Sequence, residues 1–183
     1  DFSECTQLMA DYQEILYDKE AWLSPIRKSE LLLYTTLVHI GNQEYKTAKK
    51  YISNAIIDHN IKHLPLMRTI RLVRLIVFYE AQEHELIQYE SRSITRSLSS
   101  PKEQTFKTER IILWFLNKRN IPILKKDREA FWEKLSPEIQ ELYNNKYESQ
   151  LLRLFDFTAW MESKIRKEKL SEVLRARSSA KEC

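Results

Sequence analysis

Apolar residues recur along this chain at spacings of three and four, the period of a helix with one buried face. From Ser3 to Leu23 they fall at Leu8, Met9, Tyr12, Ile15, Leu16, Trp22 and Leu23, which predicts a first helix. Ser24-Pro25 reads as an N-cap followed by proline at the first helical position, opening a second helix to about Ile40. A third runs from Glu44 to about Asp58 with Tyr45, Ala48, Tyr51, Ile52, Ala55 and Ile56 on its apolar side. The stretch HNIKHLP reads as a linker, and helices follow at Leu66–Glu80 and Glu83–Leu98. Ser100-Pro101 with Glu103 is a capping-box start for a helix to Lys118. NIP breaks the chain before Leu124–Leu135, Ser136-Pro137 opens another helix to Asn144, and Lys146–Lys167 forms the last. The pattern therefore predicts about nine helices, and their short connections make consecutive ones antiparallel neighbours.

Glycine changes this picture from helix-rich to helix-only. The 183 residues contain one, Gly41, where average usage of about 7% would supply roughly a dozen. Hairpins of the primed turn types, phosphate-cradling loops and nucleotide fingerprints all need glycine, so none is expected. Gly41 lies in HIGNQEY between two periodic segments, where a helix stop belongs. A period is also visible. Ala48, Tyr51, Ala55 and Ile56 correspond, 38 residues on, to Leu86, Tyr89, Ser93 and Ile94.

Charge and cysteines bound the function. Between Lys164 and Cys183 seven basic side chains face three acidic ones, which accounts for the whole net charge of +4. The remaining chain holds 23 of each sign, and so balanced a body argues against a nucleic-acid-binding face. Cys5 and Cys183 suit free thiols in a reducing, cytoplasmic setting. No run approaches the ~18 apolar residues of a membrane span, and the start lacks signal-peptide character. Asp1 in place of methionine suggests a fragment or a processed product.

GNQEYKTAKKYISNAI resembles the turn and second helix of a tetratricopeptide repeat. Gly41 stands at the turn, Tyr45 and Ala48 match the aromatic-x-x-Ala step, and Ile52 and Ala55 the large-small pair. The turn is about two residues longer than the family's, and Tyr34 sits where its first helix has a small residue. The closing FDFTAWMESKIRKE is similar to the ends of bacterial helical-repeat proteins, a likeness that brings no activity with it. The resemblance implies an all-α fold, a right-handed α-superhelix of antiparallel helix pairs. It implies one helical-repeat domain over residues 1–168, capped near Trp160, with a basic mobile tail over 169–183. It also implies a non-enzymatic scaffold whose concave groove, lined by the first helix of each pair, takes a protein or peptide. The other reading is a regulatory or nucleic-acid-associated helical domain that uses the basic tail.

Candidate residues follow from the first helices. Arg68, Arg71 and Arg74 share one side of a helix, and their forks suit carboxylates, hence an acidic peptide. A solvated face paired with acids such as Glu44 or Glu80 is the alternative. Tyr34, Lys107, Arg110 and Trp114 occupy comparable positions on flanking first helices, although Trp114 in IILWFL also suits a core. His59 and His63 are four apart without a third ligand, so a metal is not expected. Asp156, among apolar neighbours in LLRLFDFTAW, is expected to pair with a nearby arginine such as Arg153, the alternative being an acid or base of raised pKa. No nucleophile motif, catalytic residue or cofactor-binding residue is assigned.

Overall fold

The computed structural model describes residues 2–11, 23–55, 65–98, 106–117 and 121–179. Among them are ten α-helices and no strand: α1 Phe2–Asp11, α2 Pro25–Gly41, α3 Tyr45–Asn54, α4 Pro65–Glu80, α5 His84–Leu98, α6 Lys107–Asn117, α7 Lys125–Asn144, α8 Glu148–Leu154, α9 Phe157–Arg166 and α10 Leu170–Ser179. The expectation of an all-α chain is met. The chain divides into two compact units, Asp1–Gln104 and Thr105–Cys183.

In the first unit α4 is the centre. Its residues Met67, Ile70, Leu72, Val73, Leu75, Ile76 and Val77 are all buried, more than one face of a helix can hold. A helix apolar nearly all round must be covered on several sides, and α4 packs against α2, α3 and α5. α2 begins as expected, with the Ser24 hydroxyl accepting from the Arg27 amide at 3.4 Å and Pro25 at the first position.

The α2–α3 and α4–α5 turns are the same turn. After α2 the Gln43 amide donates to Ile40 and the Glu44 amide to the His39 carbonyl; after α4 the Gln82 amide donates to Tyr79 and the Glu83 amide to Phe78. This is the Schellman pattern, which needs one left-handed residue just past the helix. Gln43 (φ 64°) and Gln82 (φ 61°), 39 positions apart, supply it. Gly41 does not, since its φ is not positive and it still belongs to α2. The burial pattern repeats at the same interval: Ala48, Ile52 and Ala55 of the first hairpin match Ile87, Ser91 and Ile94 of the second. The period is thus 39, one more than the sequence alignment gives, and the proposed equivalents Leu86 and Tyr89 are exposed.

What requires glycine at position 41 is α1. A Cβ there would stand 2.3 Å from the Phe2 ring, so that ring lies directly on the Gly41 backbone. The Asn42 amide donates to the Thr6 hydroxyl at 2.7 Å and the Phe2 carbonyl at 3.3 Å, tying α1 to the same turn. α1 contains no fully buried residue, and only Phe2, Thr6 and Met9 on one face are partly covered.

The second unit departs more from its expected elements. α7 continues through Pro137 instead of restarting there. The expected helix over 146–167 is broken at Phe155, because Asp156 caps α9 by accepting from the Ala159 amide at 2.9 Å. Residues 170–179, expected within a mobile tail, form α10, with Leu170 and Val173 buried. The start of the helix expected at Pro101, the linker histidines His59 and His63, and residues 12–22 lie outside the described residues. Among the described residues no helix is long and apolar enough to cross a membrane.

Candidate functional site

The seven nominated residues fall into the two units, and each unit uses its share differently. In the first, the α4 arginines are engaged with neighbouring helices. Arg74 donates from Nη2 to the carbonyls of Ile52 and Ala55, 3.2 Å from each, and so caps the C-terminus of α3. Burial lowers the Arg74 pKa, the Glu90 charge opposes that shift, and the Arg71 charge adds to it. Arg71 stands with Nε 3.5 Å from the Glu90 carboxylate and Nη2 3.3 Å from the Ser93 hydroxyl, both on α5. Arg68 is buried. The acids foreseen as partners are committed elsewhere. Glu44 sits 2.6 Å from His39 Nδ1, and Glu80 accepts from Tyr45, whose hydroxyl is pushed up to about 12 by burial and then by that charge. Tyr34 is 45% exposed on α2, its hydroxyl 3.4 Å from Glu30 of the same helix.

In the second unit the three remaining nominees come together. Lys107, Arg110 and Trp114 of α6 line a cleft of about 560 Å³ with Ile111, Leu135, Glu138 and Glu148. The floor is apolar, and Trp114, 45% exposed, is stacked against Phe131 of α7 at 6.2 Å. Spacings of three and four place Lys107, Arg110 and Trp114 along one side of α6, while Ile112 and Phe115 on its other side are buried.

The polar wall of the cleft is internally ordered. Glu148 is buried, and it accepts from the Lys107 amide, the Thr108 amide at 3.0 Å and the Thr108 hydroxyl at 2.8 Å. An acid from α8 thus supplies the N-terminal cap of α6, where unpaired amides and the helix dipole favour negative charge. The Lys107 ammonium lies 2.6 Å from Glu141 and 3.7 Å from Glu138, and the Glu141 hydrogen bond raises its pKa. Glu148 thus fills the anion position at the α6 N-terminus, and the Arg110 side chain is exposed one turn further on.

A polar cluster that the sequence reading missed lies elsewhere in this unit. Asp156 pairs with Arg177 of α10 at 3.0 Å, in place of the expected Arg153. The Arg177 guanidinium also reaches Glu162 at 2.6 Å and stands 2.7 Å from the hydroxyls of Tyr143 and Thr158. Burial and then the Asp156 charge push the Tyr143 hydroxyl up to about 12. Leu170, Val173 and Arg177 are spaced as one helix face, a signal that could have located α10.

Neither the known protein families nor the curated proteins and solved structures contain a match to this chain. The class that the fold defines is therefore the broad one, an all-α protein over its described residues.

Proposed function

We propose that this chain is a non-enzymatic scaffold, a tetratricopeptide-like array of helix pairs that captures a protein or peptide segment. The observation that carries the reading is the α6 cleft, where the exposed Trp114 and Arg110 stand beside the apolar Ile111 and Leu135, and Lys107, Glu138 and Glu148 complete the lining. Such a surface suits a segment with an apolar anchor next to an acidic side chain: Trp114 and Leu135 take the anchor and Arg110 the carboxylate. Support for the array comes from the two hairpins with one turn geometry 39 residues apart, and from α2 packing on both α3 and α4. The family's usual repeat is about 34 residues, so these hairpins belong to a lengthened variant of that pattern. The exposed free thiol of Cys5 suits a reducing, cytoplasmic setting.

Selection from a random-peptide display library tests the reading. Selected peptides should carry the apolar–acidic pair and should lose at least about tenfold in affinity, or ~1.4 kcal/mol, against Trp114→Ala and Arg110→Glu. Tyr34→Ala should bind as the wild type does. Peptides that bind both cleft variants unchanged would sink the proposal.

A further inference from the structure

We propose that Asp156, Glu162, Tyr143, Thr158 and Trp132 form an arginine-recognition site, which α10 fills in cis with Arg177 and which accepts an arginine-bearing segment when α10 is displaced. The site is assembled from two helices. α7 contributes the Trp132 ring, 5.8 Å beneath the guanidinium carbon, and the Tyr143 hydroxyl. The start of α9 contributes the capping carboxylate Asp156, then Thr158 and Glu162.

The arrangement of donors uses a property that a guanidinium has and an ammonium lacks. Glu162 accepts from both Nε (2.9 Å) and Nη2 (2.6 Å) of Arg177, one edge of the planar fork. Nη1 is 3.0 Å from Asp156 Oδ2 and also meets the two hydroxyls, so the opposite edge is recognised separately. The guanidinium carbon also stands 5.8 Å from the centre of the Trp132 ring, within cation–π range of the preferred aromatic partner of a cation. An ammonium has three donors but no planar fork, so it cannot span the Glu162 edge and the Asp156 edge in the same fixed geometry.

The receptor half also has contacts of its own, besides those to Arg177. Asp156 is held by the Ala159 amide and the Tyr143 and Thr158 hydroxyls, and Arg166 occupies the second oxygen of Glu162 at 3.0 Å. Thr158, Glu162 and Trp132 are each buried. The occupant is held more lightly, since α10 buries only Leu170 and Val173 besides inserting Arg177. The connection to it passes through Lys167, in the left-handed conformation at φ 61°. A preformed site filled by a thinly anchored helix is open to a competing helix that presents the same side chain.

Chemical rescue in the full chain tests this assignment. Arg177→Ala should lower Tm by about 5 °C or more, which corresponds to roughly 1 kcal/mol in a small domain. Millimolar ethylguanidinium should recover most of that loss, leave the wild type unmoved, and outperform ethylammonium or sodium chloride at equal ionic strength. Arg177→Lys should remain well below wild type. A peptide spanning residues 169–179 should bind Arg177→Ala more tightly than the same peptide carrying alanine at 177. Wild-type stability in Arg177→Lys would reduce the site to an ordinary ion pair and overturn the proposal. So would a rescue that sodium chloride matches, or equal shifts in wild type and variant.

Discussion

The hairpins α2–α3 and α4–α5 are built on one backbone plan from almost unrelated residues. Both close with a glutamine in the left-handed region, followed by a glutamate whose amide reaches back to the third-last residue of the preceding helix. Both bury residues at three matching positions, Ala48, Ile52 and the C-cap Ala55 in one and Ile87, Ser91 and Ile94 in the other, and α5 buries Glu90 besides. Yet only the first contains glycine, and only the second buries a serine in the middle of that seam. What repeats is the turn geometry and the order of buried positions. What varies is everything a neighbouring element can compensate, so the two hairpins should respond very differently to matched substitutions.

The largest difference is expected at the middle buried position. Ile52 is 0% exposed, and Ile52→Ala removes three methyl or methylene groups from a packed seam, costing about 3 kcal/mol. Its counterpart Ser91 is buried with a hydroxyl that has no hydrogen-bond partner among the described residues. Ser91→Ala removes that unsatisfied group and should leave stability within about 0.5 kcal/mol of wild type, or raise it. Urea unfolding of the two variants measures both effects. Equal losses would mean that the Ser91 side chain contributes as much to its seam as Ile52 does, and the contrast between the two seams would fail.

This contrast also shows how far the sequence could be read. The helices were legible because a buried face leaves a period of 3.6, and that period survives any choice of apolar residue. The interval between hairpins was misread by one because Tyr51 and Tyr89 align by identity. Burial aligns Ala48 with Ile87, and Tyr89 points to solvent at 74% exposure. The cleft was half legible. Spacing along α6 selected Lys107, Arg110 and Trp114 together, but the same spacing along α4 selected Arg74, which caps α3, Arg71, which binds α5, and Arg68, which is buried. A one-helix pattern cannot distinguish these outcomes, because the deciding partners, carbonyls of α3 and carboxylates of α5, come from elsewhere in the chain. The bond between Asp156 and Arg177 spans 21 positions and left no local trace, whereas the Asp156 cap with Ala159 three residues on was readable as a helix start.

A second, smaller asymmetry lies at the glycine. Gly41→Ala should strengthen the end of α2 by about 0.5–1 kcal/mol, since alanine is the better helix former. It must also push the Phe2 ring off the turn, because the new methyl would stand 2.3 Å from that ring. These effects oppose each other, so global stability should change by less than about 1 kcal/mol, while amides of α1 lose protection from hydrogen exchange. Retained protection in residues 2–11 would show that α1 docks without this contact. Position 80, the counterpart of 41, already carries glutamate, which agrees with a turn that needs no glycine for its own geometry.

The smallest effect should also be the most symmetric. Gln43 and Gln82 each occupy the left-handed region, which costs a side-chain-bearing residue roughly 1–2 kcal/mol. Glycine removes that strain and returns part of the gain as greater freedom in the unfolded chain, so Gln43→Gly and Gln82→Gly should each stabilise by about 0.5 kcal/mol. Thermal melts of the two single variants and of the double variant read this out. Because the two turns share no residues, the gains should add, whereas the effects at 52 and 91 should differ in size. A gain at one glutamine and a loss at the other would show that the two turns differ in solution and would remove the basis for treating the hairpins as repeats.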